Sequence, residues 1–447
     1  NDYAIESVLA RLNYGFRDRY YFDASWRTDG SSRFHKSNQW GNFWSVGASW
    51  RISEENFMKS TSDWLNNLTL KASYGVQGND NLGSYYVWQG RFSYGWANGT
   101  RPGSTASSIE NKLVTWEKNG NLNTGIEASM FGGRLTSTIE YYSRRTRDML
   151  LNNPLAISSG FSGYDDNVGS MVNRGLETSF RGVIFDRSNF HWDASLMLSM
   201  NRNKVTELTS SQDVINYGSV VIEKGKPIYT FYMSKSAGVS PSTGRQLYYA
   251  YYRYAVDKTG SIVTEKCDEY VTDNVGLASL SKYYYGSRQA LFSGSFSSNF
   301  TFFKNFDFSF LTTFSVGGKI YDSLYGGAMN VTYAGNNWHK NVLRRWQRPG
   351  DVADGPLVQI GGRRPSAGEE LIDASYFAIK NITLGYTLPS SLTKKAGIGA
   401  CRVFVTADNL ALFCNMNGMD PQYNFTGTVS YTYTPSRVVA AGIDINF

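Results

Sequence analysis

Apolar and polar residues alternate with a period of two along much of this chain. In 44–52, Trp44, Val46, Ala48, Trp50 and Ile52 alternate with Ser45, Gly47, Ser49 and Arg51. In 68–76, Leu68, Leu70, Ala72, Tyr74 and Val76 alternate with Thr69, Lys71, Ser73 and Gly75. Phe306, Phe308, Phe310, Phe314 and Val316 are interleaved with Asp307, Ser309, Thr313 and Ser315. Ile382, Leu384, Tyr386 and Leu388 oppose Thr383, Gly385 and Thr387, and the chain ends with Ile443, Ile445 and Phe447 set against Gly442, Asp444 and Asn446. Strands send successive side chains to opposite faces, whereas a helix would scatter these positions around its circumference. The pattern predicts about fifteen strands, near 4–16, 20–31, 43–53, 67–79, 116–131, 134–150, 168–185, 190–208, 227–238, 245–255, 289–303, 306–322, 371–388, 401–413 and 437–447.

The expected connections alternate in length. Short ones fall at 17–19, 132–133, 186–189, 240–244 and 304–305, and long ones at 80–115, 151–167, 209–226, 256–288, 323–370 and 414–436. Two of the short-side turns, 54–66 and 389–400, are longer than the rest. Short turns on one side and long loops on the other, with a terminal aromatic residue, are the pattern of an all-β fold of one kind, the transmembrane antiparallel β-barrel. Its periplasmic turns are short and its extracellular loops long. If the last strand ends at the periplasm, strand 4–16 runs inward. Intact barrels start outward and hold an even number of strands, so an odd number of strands is expected to lie outside this sequence.

Composition is compatible with that fold without proving it. The 447 residues suffice for one large barrel or two to three ordinary domains, and no internal shift marks a linker. Aromatic residues make up 15%, as interfacial girdles require, and 44 glycines suit tight turns. Mean hydropathy is −0.37, expected where only alternate residues touch lipid. A run of about 18 apolar residues is absent, which excludes a transmembrane helix. A soluble propeller or solenoid has the same composition. The net charge of +7 is spread singly, apart from Arg144-Arg145 with Arg147, Arg344-Arg345 and Arg363-Arg364, and no nucleic-acid motif accompanies it. Cys401 and Cys414 fall near the two ends of one expected strand, about 40 Å apart at about 3.3 Å per residue, too far for a disulfide. With Cys267 they read as inert small residues. Asn1 is not an initiator Met, so a processed chain or part of a longer one is expected.

Several segments in combination carry a resemblance. They are 22–34 (Phe22-Asp23-Ala24-Ser25-Trp26-Arg27-Thr28-Asp29-Gly30-Ser31-Ser32-Arg33-Phe34), Leu70-Lys71-Ala72-Ser73-Tyr74-Gly75 with Gly78-Asn79, and Trp116-Glu117 with Asn121-Leu122-Asn123-Thr124-Gly125. Tyr141-Tyr142, Thr146-Arg147-Asp148-Met149-Leu150 and Asn173-Arg174-Gly175-Leu176-Glu177 follow. Later come 345–351 from Arg345 to Asp351, 381–389 from Asn381 to Pro389, Ala407-Asp408-Asn409-Leu410 and Gly418-Met419-Asp420-Pro421. Together they resemble the SusC/RagA-type TonB-dependent outer-membrane transporters of Bacteroidetes. The resemblance implies a barrel of about 22 strands with its lumen filled by an N-terminal plug, leaving about seven strands upstream. The plug, TonB box and N-terminal extension would also lie upstream. It further implies a SusD-like surface lipoprotein as a lid over loops 80–115, 209–226, 256–288 and 323–370, and coupling to the TonB complex through the plug. One departure is Ser279 to Gly286, where the family carries a Pro-containing approach.

Enzyme chemistry finds little support. His35, His191 and His339 are scattered and form no His-Glu-x-x-His. Lys258-Thr259-Gly260 lacks a preceding Ser-x-x-Lys and reads as a turn. No cofactor is expected. Asp268, Glu269 and Asp273, assigned to a loop, are weak candidates for Ca²⁺, which takes oxygen ligands, although their spacing is not that of an EF-hand. Trp88, Trp96, Trp338 and Trp346 offer flat faces for sugars or peptides, and Arg101, Arg344, Arg345, Arg363 and Arg364 offer charge for acidic groups. For each of these, packing within loops is the competing reading. The expected function is active import of oligosaccharides, with oligopeptides second. A passive porin and a soluble glycan-binding β protein are the alternatives from other classes.

Overall fold

The computed structural model describes residues 2–81, 83–208, 213–362, 364–365, 367–415, 420–423, 426–429 and 433–447. Its main element is a thirteen-stranded antiparallel sheet in which spatial order follows chain order. The strands are β1 (Ile5–Phe16), β2 (Tyr20–Ser31), β3 (Trp40–Arg51), β4 (Leu65–Asn79), β5 (Glu117–Met130), β6 (Leu135–Arg147) and β7 (Ser170–Arg187). They continue with β8 (Phe190–Glu207), β9 (Phe292–Phe302), β10 (Phe306–Val316), β11 (Tyr376–Thr387), β12 (Ala400–Cys414) and β13 (Val438–Asn446). β1 and β13 stand at the two edges.

Register gathers the alternating residues into two continuous faces. One row runs Tyr20, Trp50, Leu70, Ile126, Ile139, Thr178, Leu198, Gly294, Phe314, Phe377 and Phe413 from β2 to β12. The neighbouring row on the other face runs Ser49, Lys71, Gly125, Glu140, Glu177, Ser199, Ser293 and Ser315. Large apolar side chains therefore point outward and exposed, Leu384 and Ile443 among them. That is the reverse of a water-soluble sandwich and what a lipid-facing wall requires. Near the turn ends, Phe185, Trp192, Phe300 and Phe308 stack at centroid spacings of 5.5–5.9 Å, and Phe306 meets Tyr386 at 4.5 Å. The wall also needs close approaches. The Phe43 ring lies directly on Gly78, where a Cβ would overlap it.

Two of the fifteen expected strands leave the wall. Thr230–Val239 and Gln246–Val256 belong to a separate six-stranded sheet with Val214–Tyr217, Val220–Glu223, Ile262–Thr272 and Lys282–Tyr284. Their sequences show why. Val220-Val221-Ile222 is buried without a break, and Leu247 to Tyr252 is apolar or aromatic throughout, so neither has the one-in, one-out rhythm of a membrane strand. Phe231 and Met233 pack with Val220, and Val205 with Ile215 and Ile222, giving this region a core of its own. The expected loops 209–226 and 256–288 are thus parts of one connection, 208–291, between β8 and β9. The Ca²⁺ candidates likewise sit on or beside a strand, Ile262–Thr272, and not in a loop. The 80–116 connection holds a hairpin of Arg91–Asn98 and Arg101–Ser108. The strands expected at 306–322 and 371–388 each divide, since Lys319–Tyr321 pairs with Leu371–Asp373 outside the wall. Every connection following an even-numbered strand emerges at one end, the loop end. Most of the closed apolar clusters lie there, because the wall itself has no dry side.

Candidate functional site

The polar face near the loop end carries a group of carboxamides. β5 carries Asn119 and Asn121, β7 carries Asn173, and β8 carries Asn201 and Asn203. They form two hydrogen-bonded sets, one of Asn173, Asn201 and Asn203 with Tyr142 and one of Asn119 and Asn121 with Thr146 and Arg144. Asn203 donates to Asn173 Oδ1 at 2.9 Å, Asn201 to the same oxygen at 3.4 Å, and the Tyr142 hydroxyl to Asn201 at 2.9 Å. Thr146 donates to Asn119 at 2.7 Å, and Arg144 Nε to Asn121 at 2.8 Å.

Above this network the 208–291 connection folds back and closes a cavity of about 610 Å³. Asn173, Ser199, Asn201, Asn203 and Ser293 supply its wall side, Pro227 to Tyr229 and Ser287 to Ala290 its roof, and Gln422 one flank. The roof is pinned to the wall. The backbone N–H of Ile228 donates to Asn203 Oδ1 at 2.7 Å, and that of Asn203 to Gln289 Oε1 at 3.2 Å. Arg288 Nη2 donates to the Pro421 carbonyl at 2.6 Å, and its shielded Nε has no partner. Burial pulls the Arg288 pKa below the ordinary arginine value. A second cavity of about 480 Å³ shares Ser199 and Ser293 with the first and contains Glu140 and Glu177, directly opposite each other in register. Carboxamides both donate and accept, so the first cavity suits ligands rich in hydroxyl or peptide groups.

Residues 1–310 match the family model described as TonB dependent receptor-like, beta-barrel. The chain belongs to this family. It is 29% identical to TonB-dependent receptor P39 of Formosa agariphila, covering 100% of this chain and 46% of that protein. It is 28% identical to TonB-dependent receptor SusC of Bacteroides thetaiotaomicron, covering 99% of this chain and 43% of the relative. A solved structure of the RagAB peptide transporter superposes over 100% of this chain and 48% of its own, with a TM-score of 0.84 and 30% identity. The chain thus spans just under half the length of the relatives it matches. It is part of an outer-membrane β-barrel in a family of receptors and transporters, and a barrel wall of that kind sets its apolar face in lipid and its polar face toward the lumen.

The residues singled out in the sequence do not converge on one place. Trp96 and Arg101 share the exposed hairpin, where Phe92, Tyr94 and Trp96 form an aromatic stripe. Trp88 is half-buried against the cluster of Phe34, Phe43, Val114 and Trp116. Trp346 packs on Gly244 and donates Nε1 to the Pro241 carbonyl at 2.9 Å, clamping two connections together. Trp338 is exposed, Arg344 pairs with Asp354 at 3.3 Å, and Arg345 is half-buried. Arg364 forms a shielded ion pair with Glu370 at 3.1 Å. Arg363, Gly418 and Met419 lie outside the described residues. Asp268 and Glu269 lie at a register irregularity of their strand, between the pairs Tyr252–Lys266 and Ala250–Tyr270. Glu269 meets Tyr283 and Lys235, and Asp273 meets Arg245 at 2.8 Å, so the three carboxylates do not gather around one point. Sequence reasoning missed the amides. Asn201 and Asn203 at i and i+2 on a membrane strand were the available signal for a polar lumen face, and Asn173 lies in one of the segments that resemble the family. Arg288 had no local signal.

Proposed function

We propose that this chain forms part of the barrel wall and the outer connections of a TonB-driven importer of oligomeric nutrients. The observation that carries this reading is the union of a two-faced wall with large connections at one end, which close over an amide-lined cavity on the lumen side. A sheet in hydrocarbon must pair both edges, and β1 and β13 each leave a row of backbone groups for further strands. Thirteen wall strands keep the odd parity argued from the sequence. A barrel of about 22 strands, as the resemblance implies, would need about nine more. Those strands, together with a plug and its TonB box, belong to the remainder of the full-length protein in this reading.

The lid would be a SusD-like lipoprotein seated on the 80–116, 208–291 and 317–375 connections. The ligand is an oligosaccharide or an oligopeptide, since both present the alternating donors and acceptors that carboxamides match. Peptides gain support from the likeness to the RagAB peptide transporter. No covalent chemistry is assigned to the chain. The test is uptake of fluorescent oligosaccharides and oligopeptides by cells carrying the full-length protein, with and without TonB. Uptake that requires TonB supports the importer. Uptake that persists without TonB indicates a passive pore and refutes it.

A further inference from the structure

The charge balance of the 610 Å³ cavity is incomplete. Among the described residues Arg288 is the only charged one lining it. The guanidinium donates one bond to a neutral carbonyl, that of Pro421, and its Nε has none. The closest acid along the chain on that flank, Asp420, is engaged with Gln422, accepting from its backbone N–H at 2.9 Å and its side-chain Nε2 at 2.8 Å. Among the described residues no Asp or Glu pairs with Arg288, and none of the positions outside them is an Asp or Glu. A guanidinium drawn out of water without a counter-ion is unfavourable, and arginine keeps its proton where a lysine would shed it. The groups around it are neutral and held in place: Asn203 is fixed by Asn173, Ile228 and Gln289. The site thus offers one planar cation able to take both oxygens of a carboxylate, set among preorganised amides.

We propose that this cavity is a subsite for a ligand carboxylate, received by Arg288, with the carboxamides holding the neutral part of the same ligand. The proposal rests on the importer reading and narrows its substrate. Two sources share the chemistry: the C-terminal carboxylate of an oligopeptide and the uronate of an acidic oligosaccharide.

The test is calorimetric titration of the full-length protein in detergent with two matched probe pairs. These are tetra-alanine against its C-terminal amide, and tetragalacturonate against its methyl ester. In one pair the acid should bind about 10- to 100-fold tighter than its neutral form, and that pair identifies the source. Arg288→Gln should abolish the preference and Arg288→Lys should retain part of it. Loss of heat-modifiable migration would identify a variant that fails to fold, and the wild-type comparison stands without any variant. The proposal is overturned if wild type binds acid and neutral forms alike, if it binds neither acid form at millimolar concentration, or if Arg288→Gln keeps the preference. A carboxylate supplied from elsewhere in the full-length protein would produce the first of these results. TonB-dependent uptake alongside equal binding of both forms would leave the importer standing and remove the subsite.

Discussion

The sidedness of the wall can be tested at two adjacent residues. Ile139 lies on the apolar face of β6, with Ile126 and Thr178 opposite it on the flanking strands. Thr138 lies on the lumen face, opposite Glu127 and Ser179. Both are three to four residues from the turn end, about 10–13 Å along the strand, which is near the middle of an apolar band about 25 Å tall. Arginine at 139 would enter hydrocarbon with no carboxylate on its face in the adjacent pairs. The cost at such depth is about 2–4 kcal/mol. Arginine at 138 would stand in the lumen beside Glu127, which already pairs with Lys71, and should change stability by no more than about 0.5 kcal/mol. The assay is guanidinium unfolding of the full-length protein in lipid vesicles, followed by heat-modifiable migration. Ile139→Arg should lower the midpoint clearly and Thr138→Arg hardly at all. Equal losses, or a larger loss at 138, would refute the assignment of faces.

Other outcomes follow from the contacts. Trp346→Ala removes the ring from Gly244 and a hydrogen bond to Pro241, a local loss of about 2 kcal/mol. The Leu357 amide, which donates to the Gly244 carbonyl at 2.8 Å, should then exchange about 30-fold faster by hydrogen exchange. Arg402 joins Asp307 at 2.5 Å and Asp444 at 3.4 Å across β10, β12 and β13. All three are partly exposed, so a double-mutant cycle should give a coupling of about 1 kcal/mol for Arg402 with Asp307 and nearly none with the more exposed Asp444. Burial holds Glu370 above the usual carboxylate range despite Arg364. A carboxyl raised in the folded state stabilises it below the unfolded pKa, and that contribution is lost as pH rises through the folded value. Segment 367–371 should therefore be better protected from exchange near pH 4 than near pH 7 after correction for intrinsic rates, and Glu370→Gln should flatten the difference.

The wall was legible because lipid imposes a simple rule on it. Every β1–β13 strand has one face in hydrocarbon, so each shows the period of two, and all thirteen were expected, although 306–322 and 371–388 overran β10 and β11 by five to six residues. The 208–291 connection obeys no such rule. Its strands are covered on both sides, like Phe231 beside Thr230, or carry tyrosines on both faces, like Tyr251 beside Tyr252. Such runs read as strands but not as members of a particular sheet. The tryptophans and arginines singled out in the sequence divide between loop packing and exposed positions such as Trp96 and Trp338. A loop too large to stay open must cover part of itself, and Trp88, Trp346 and Arg364 are half-buried within these loops.

The lumen face divides along the strands in a way that bears on transport. Toward the turn end it carries ion pairs such as Arg402 with Asp307 and Lys71 with Glu127. Such pairs are fixed by their partners and offer little to a passing solute. Toward the loop end the same face carries Asn119, Asn121, Asn173, Asn201 and Asn203; Asn119 and Asn121 bond the charged Glu117 and Arg144, whereas the bonds among Asn173, Asn201 and Asn203 are neutral and each worth about 1 kcal/mol net. A ligand can exchange into that network one bond at a time without meeting a deep ionic trap. Among the described residues Arg288 is the one charge on the lining of the cavity beside these neutral amides. A single fixed charge among exchangeable amides orients an oligomer by one end and leaves the rest of its length free to move. That is the arrangement expected where a ligand must be captured firmly enough to enter and weakly enough to be released inward.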